Sequence, residues 1–149
     1  MDNLIDQLQQ AVGANGIING PDLAERAISY WDPSPTVAKA LVRPRSTAEL
    51  SGVLRLCHEH GQTVVVQGGL TGVVEGALSG PEDLIISLER MAAIESVDVM
   101  DGVAVIQAGA ILQSVQEQLA DQGFLFPLRQ GTPVIICRRL CCNMVVLPG

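Results

Sequence analysis

The stretch VVVQGGLTGVVEGA, residues 64–77, decides the fold because it joins an apolar strand to a glycine-rich loop. Its three leading valines predict a buried strand, which ends abruptly at Gly68 and Gly69. Glycines permit positive φ and let backbone N–H groups approach a ligand, and consecutive N–H groups in a concavity bind phosphate oxygens. Thr71 adds a hydroxyl donor before Gly72. The residues alone favour a plain tight connection, with a phosphate-binding loop as the alternative, since neither GxGxxG nor a P-loop is present.

The elements predicted around this loop have the order of an α+β domain, specifically an α/β sandwich. A short parallel β-α-β unit is followed by a hairpin and a helix. The predicted elements are a helix over 3–12, a short helix over 23–28, a loop over 30–35, a strand over 40–42, a helix between 46 and 61, strands over 63–66 and 84–88, a hairpin of 94–99 with 103–108, and a helix from 111 that ends at Gly123.

The helix after the first strand has the clearest boundaries. Ser46 is a candidate N-cap with Glu49 three residues on, which is a capping box, and Gly61 ends the helix. Helical spacing predicts that four side chains face the core: Leu50, Val53, Leu54 and Cys57.

Composition excludes several function classes. Sixteen acidic residues against nine Lys and Arg give a net charge of −7, which disfavours binding to nucleic acid. No apolar run is long enough to span a bilayer, so a cytoplasmic or organelle-matrix protein is expected, and cytoplasmic is the prediction.

Few residues outside the loop suggest chemistry. Cys137, Cys141 and Cys142, the tail cysteines, lack the partner His or CxxC pair of a tetrahedral zinc site, and no metal is predicted. His58 and His60 point to different faces of their helix. Trp31 is a candidate partner anchor, with a core residue that covers a loop as the favoured reading.

A series of motifs in order resembles the flavin domain of FAD-linked oxidases, the fold typified by vanillyl-alcohol oxidase and p-cresol methylhydroxylase (PCMH). The quoted motifs are Val42-Arg43-Pro44, Ser46 to Leu50, Gly61, Val65 to Gly69, Thr71-Gly72, Gly76-Ala77, Leu84 to Met91, Gln107 to Ala110 and Gly123 to Leu128. The nearest branch is that of D-lactate, D-2-hydroxyglutarate and glycolate dehydrogenases. Two residues depart from the pattern: Val66 stands where proline is usual, and Leu70 where Asn or another small or polar residue is usual.

The resemblance implies the N-terminal half of a PCMH-type FAD-binding domain, in an enzyme that oxidises a small D-2-hydroxy acid. It implies that FAD is held by Gln67, Gly68, Gly69, Leu70, Thr71, Gly72, Gly76, Ala77 and Pro127. No catalytic residue is assigned, because the family's substrate residues lie in a later domain, and the electron acceptor is left open. The alternatives are a truncated non-catalytic remnant and another oxidase branch of the same fold, such as an alcohol oxidase.

The tail departs from this pattern. We expect an N-terminal helical extension over 1–38, a partial FAD-binding domain over 39–128 and a non-family tail over 129–149. The family expects a second glycine-rich segment there. One possible set of codons for residues 138–142 encodes Gly-Gly-Phe-Val-Ala when it is read one base later. One possible set for residues 144–149 encodes Gly-Gly-Ile-Thr-Gly in a shifted reading frame. We therefore hypothesise an N-terminal fragment whose tail is translated out of frame.

Overall fold

The computed structural model describes residues 3–72 and 74–126, together with the backbone of 144–145 and 147–148. The chain divides into two compact units, one ending at Arg90 and the other beginning at Met91.

The first unit is a four-stranded sheet with helices. Its helices and strands are α1 (Asn3–Val12), β1 (Ile17–Ile18), α2 (Gly20–Ala24), β2 (Ala40–Val42), α3 (Thr47–Glu59), β3 (Val64–Gln67) and β4 (Leu84–Ser87). The strand order is β1-β2-β4-β3, with β4 parallel to both β2 and β3 and with β1 antiparallel to β2. The predicted parallel β-α-β unit is therefore confirmed.

Both faces of β4 are covered, which explains why its sequence shows no alternation of apolar and polar residues. Leu84 and Ile86 belong to the cluster that contains α1 and α3 side chains. Ile85 points to the other face, where it packs with Leu41 and with Leu23 of α2. All three β4 side chains are completely buried.

Three expectations for this unit are wrong. The strand predicted as buried over 63–66 is not buried, because β3 lies at the edge of the sheet and leaves Val66 52% exposed. The short helix covers Gly20–Ala24 rather than 23–28, since Ala27 forms an isolated bridge with Pro35 instead of continuing a helix. The third error is β1, which falls in a region predicted only as a turn.

The predicted boundaries of α3 are confirmed. The Ser46 side chain accepts the Glu49 N–H at 3.2 Å, and Gly61 follows the helix with φ of +60°. The predicted core stripe is wrong at Leu54, which is 45% exposed. A step of about 100° per residue turns Leu54 away from Val53, and Leu56 packs against the core instead.

The second unit contains the predicted hairpin and helix. Its elements are β5 (Ile94–Asp98), β6 (Val103–Ile106), α4 (Leu112–Ala120), β7 (Phe124–Leu125), β8 (Met144–Val145) and β9 (Leu147–Pro148). Strands β5 and β6 are antiparallel, and Gly102 takes a left-handed φ of +63° in their turn. The backbones of β8 and β9 pair with β6 and β7. Buried side chains of β6, α4 and β7 form this unit's core.

Candidate anion-binding loop at the carboxyl end of β3

The candidate site begins where β3 ends. The sheet has three parallel strands, β2, β4 and β3, so their carboxyl-terminal ends lie on the same side of the sheet. Ligands of open α/β sheets bind just beyond the carboxyl-terminal ends of the strands. The chain that leaves β3 there is the glycine-rich loop of residues 68–77, in which Val73 lies outside the described residues.

Gln67 ties the two ends of this loop together. Its side chain is buried, with 3% exposure, and its Nε2 donates to the Ala77 carbonyl at 3.0 Å. Its backbone carbonyl accepts the Leu88 N–H at 3.2 Å. The structure therefore gives Gln67 intramolecular partners that fix where the loop starts and returns.

The backbone N–H groups at the start of the loop are free. Within the described part of the chain, the N–H groups of residues 68–72 donate to no backbone or side-chain acceptor. Because the Gln67 carbonyl points to β4 and a trans peptide directs C=O and N–H oppositely, the Gly68 N–H faces away from β4. Five consecutive free donors are available to an anion here.

Two loop glycines meet only one of the two expectations for this loop, which were positive φ and open access to the backbone N–H groups. A Cβ on Gly68 or Gly76 would find no atom within 4 Å, and neither residue has a left-handed φ. The left-handed positions belong to Leu70 and Glu75, both with φ of +54°. The expectation that the glycines supply positive φ is therefore wrong for these two, and what they leave is open space beside free N–H donors.

An aromatic segment holds the outer part of the loop. The Tyr30 N–H donates to the Leu70 carbonyl at 3.0 Å, and the Trp31 indole Nε1 donates to the Thr71 carbonyl at 3.4 Å. The two rings pack edge to face with centroids 4.9 Å apart. Trp31 is 61% exposed, so the expectation of a core residue is wrong. Sequence reasoning missed this contact, because no spacing pattern links residues 40 positions apart.

Charged side chains gather beyond the ends of β2 and β4. Glu89 accepts from Arg26 at 2.6 Å and from Arg43 at 3.2 Å. Burial raises the pKa of Glu89, but the hydrogen bonds and charges of the two arginines outweigh it and hold that pKa below its ordinary value. Arg43 also donates to the Asn15 carbonyl at 2.7 Å. Arg43 Nε is buried without a hydrogen-bond partner among the described residues, while the two terminal nitrogens of this side chain tie the chain between α1 and β1 to Glu89.

Other predicted residues lie elsewhere. Pro127 and the tail cysteines fall outside the described residues, as does the proposed frame change, which stays a prediction. Cys57 is buried as expected, and burial raises the pKa of its thiol. In the described ranges no group of three or more His, Cys, Asp and Glu side chains is arranged to hold a metal. No helix there has the length and apolar character needed to cross a membrane.

Comparison with known proteins decides the family. A family model described as "FAD binding domain" matches residues 38–137. This chain belongs to the FAD binding domain family. The match runs past Leu128, where the sequence resemblance was expected to stop, and the proposed domain boundaries at 38 and 128 stay predictions.

A bovine relative of this chain, "D-2-hydroxyglutarate dehydrogenase, mitochondrial", is 38% identical over 124 residues. That alignment covers 83% of this chain and 23% of the relative, so the chain spans about a quarter of the length of such curated relatives.

Solved structures confirm the fold. Alkyldihydroxyacetonephosphate synthase aligns with a TM-score of 0.79 at 17% identity, covering 89% of this chain and 29% of that one. p-Cresol methylhydroxylase aligns with a TM-score of 0.66 at 15% identity, covering 91% of this chain and 27% of that one. The predicted PCMH-type fold is therefore confirmed, and the family's cofactor is FAD.

The glycine loop fits a diphosphate. Free N–H donors satisfy phosphate oxygens without a cationic side chain, and the open space at Gly68 and Gly76 admits the ligand close to the backbone.

Proposed function

We propose that this chain is the diphosphate-binding part of an FAD-dependent oxidoreductase that acts on D-2-hydroxy acids. In this proposal the N–H groups of residues 68–72 bind the diphosphate of FAD, with Gly76 and Ala77 bounding the space. Pro127, predicted from the resemblance, completes the proposed set.

The observation that carries the proposal is the row of free donors at the carboxyl end of β3. A hydrogen bond from N–H to a charged oxygen contributes about 1.5–3 kcal/mol. Two or three such bonds are enough for a measurable affinity in a chain whose net charge of −7 opposes anions elsewhere.

Two side chains have a part in this proposal. Gln67 holds the loop closed through the Ala77 carbonyl. The Thr71 hydroxyl adds one donor to the diphosphate. When bound, FAD supplies the acceptor for the hydride that a 2-hydroxy acid loses from C2. No described residue is assigned to proton transfer.

The substrate class rests on the bovine relative, whose name states D-2-hydroxyglutarate. We extend it to D-lactate and glycolate from the resemblance of the motifs. The test is dye-linked oxidation of these acids by the purified protein. An alcohol or aryl-alcohol preference instead would move the protein to another branch of the fold.

The cofactor site is tested by comparing FAD with riboflavin, which lacks the diphosphate. Trp31 is the single tryptophan and lies against the loop, so quenching of its fluorescence reports binding. We expect FAD and ADP to bind and riboflavin to bind far more weakly.

Gly68→Ala is the variant that tests the location. Its methyl group enters open space without a left-handed φ, so the fold tolerates it, while the methyl group takes the volume of a phosphate oxygen. We expect FAD affinity to fall about tenfold or more. Gly52→Ala is the matched control, because its Cβ also meets open space but lies on α3. Equal loss in both variants, or no loss in Gly68→Ala, would contradict the assignment.

The proposed compartment is the cytoplasm. The bovine relative carries the word "mitochondrial" in its name, which makes the mitochondrion the competing location. Microscopy of the tagged protein distinguishes the two.

A further inference from the structure

Two hydrogen bonds from the segment Tyr30–Trp31 are accepted by backbone carbonyls of the glycine loop. The Tyr30 N–H binds the Leu70 carbonyl, and the Trp31 indole binds the Thr71 carbonyl. Neither bond uses a loop N–H group. The N–H groups of residues 68–72 therefore keep no partner within the described part of the chain.

These two contacts fix the directions of the next two backbone N–H groups. In a trans peptide the C=O of one residue and the N–H of the next point in opposite directions. With the Leu70 carbonyl held at 3.0 Å by Tyr30, the Thr71 N–H points away from the aromatic segment. With the Thr71 carbonyl held at 3.4 Å by Trp31, the Gly72 N–H does the same.

The loop needs such a restraint at this place. Leu70 has φ of +54°, a left-handed conformation that leucine adopts reluctantly. A residue of this kind persists only where its surroundings fix it. Both restraints described above act on the two peptides that follow the Leu70 α-carbon.

Hydrogen bonds within residues 28–34 fix the turn that carries the aromatic segment. The Ser29 Oγ accepts the N–H groups of Trp31 and Asp32, at 3.2 and 3.0 Å. The Ile28 N–H donates to the Ser34 carbonyl at 2.9 Å. These bonds close residues 28–34 into a compact turn that presents Tyr30 and Trp31 to the loop.

We propose that Tyr30–Trp31 is a positioning element that turns the Thr71 and Gly72 amides toward a bound diphosphate. This rests on the proposed function of the loop. Both residues lie outside the family match over 38–137, so the family assignment does not include them. The Trp31 indole acts through the Thr71 carbonyl and touches no ligand.

The test removes one hydrogen-bond donor and keeps the shape. Trp31 is the single tryptophan, so residue-specific incorporation of benzothienylalanine replaces its N–H with sulfur at this position alone. FAD affinity is measured by flavin fluorescence anisotropy, and the order parameter of the Gly72 amide by ¹⁵N relaxation. Leu54→Ala is the control, because Leu54 is an exposed apolar side chain of the same unit on α3.

We expect the analogue to raise the FAD dissociation constant about three- to tenfold, the worth of one hydrogen bond, and to lower the Gly72 order parameter. Leu54→Ala should change neither. Unchanged FAD affinity in the analogue, or an unchanged Gly72 order parameter, would overturn the positioning role. If the unmodified chain binds no FAD, the proposed function fails. The Gly72 order parameter alone then decides the positioning role: a lower value in the analogue supports that role, and an unchanged value overturns it.

Discussion

Replacing Leu70 with Asn should stabilise the chain, although it removes an apolar side chain. Leu70 is half-buried, is not among the residues of the buried clusters, and has φ of +54°. A left-handed conformation costs an ordinary L-residue about 1–2 kcal/mol, and Asn tolerates it best after Gly. After subtracting the modest packing loss, we expect a gain of about 0.5–1 kcal/mol in the free energy of unfolding. For a chain of this size that is about 1–4 °C in Tm.

The assay is urea unfolding followed by far-ultraviolet circular dichroism and by Trp31 fluorescence, which reports on the first unit. Leu70→Ala is the matched control, because it loses the same packing but keeps the penalty of a left-handed Cβ. We expect Leu70→Asn to be more stable than both the parent chain and Leu70→Ala. If Leu70→Asn were no more stable than Leu70→Ala, backbone strain at this position would be refuted.

Three further predictions concern the fold. Gly52→Ala within α3 should raise the free energy of unfolding by up to about 1 kcal/mol. Gly61→Ala should lower it by about 1 kcal/mol, because Gly61 has φ of +60°. Urea midpoints that moved in the same direction for both variants would contradict this. The pKa of Glu89 is lower in the folded chain than in the unfolded chain, so Glu89 stabilises the chain above its ordinary pKa of 4.5 and loses that contribution as pH falls through the folded value. Glu89→Gln should therefore flatten the pH dependence of the urea midpoint in that acidic range. An unaltered pH profile would count against the ion pairs. The tail cysteines should bind no structural metal, and elemental analysis that finds about one zinc per chain would overturn that.

Local signals predicted much of the fold because they act over a few residues. Ser46 with Glu49, and Gly61 at its positive φ, place the ends of α3 where the sequence put them. The uninterrupted apolar run of β4 likewise predicted a strand.

Long-range contacts account for what sequence reasoning missed. Whether Val66 is buried depends on which strand lies at the sheet edge, and the chain order does not reveal that β4 inserts between β2 and β3. Ile17 and Ile18 form a strand only because β2 offers an unpaired edge.

The candidate site was likewise predicted only in part from the sequence. The glycine-rich loop after β3 was predicted from its residues, and the family match supports an FAD-binding domain. The reason given for the glycines was partly wrong, because Leu70 and Glu75 take the left-handed positions instead. The contact of Trp31 with Thr71 joins positions with no shared pattern, so only the folded chain reveals it.

The most direct measurement of the central claim is a map of the backbone amides that FAD perturbs. The ¹⁵N-labelled chain is titrated with FAD, inorganic pyrophosphate and riboflavin, and amide chemical shifts are followed. The free donors of residues 68–72 predict that FAD and pyrophosphate shift the same amides, from Gly68 to Gly72, and that riboflavin does not. Perturbations by FAD that spared these five amides, or that riboflavin reproduced, would contradict the account.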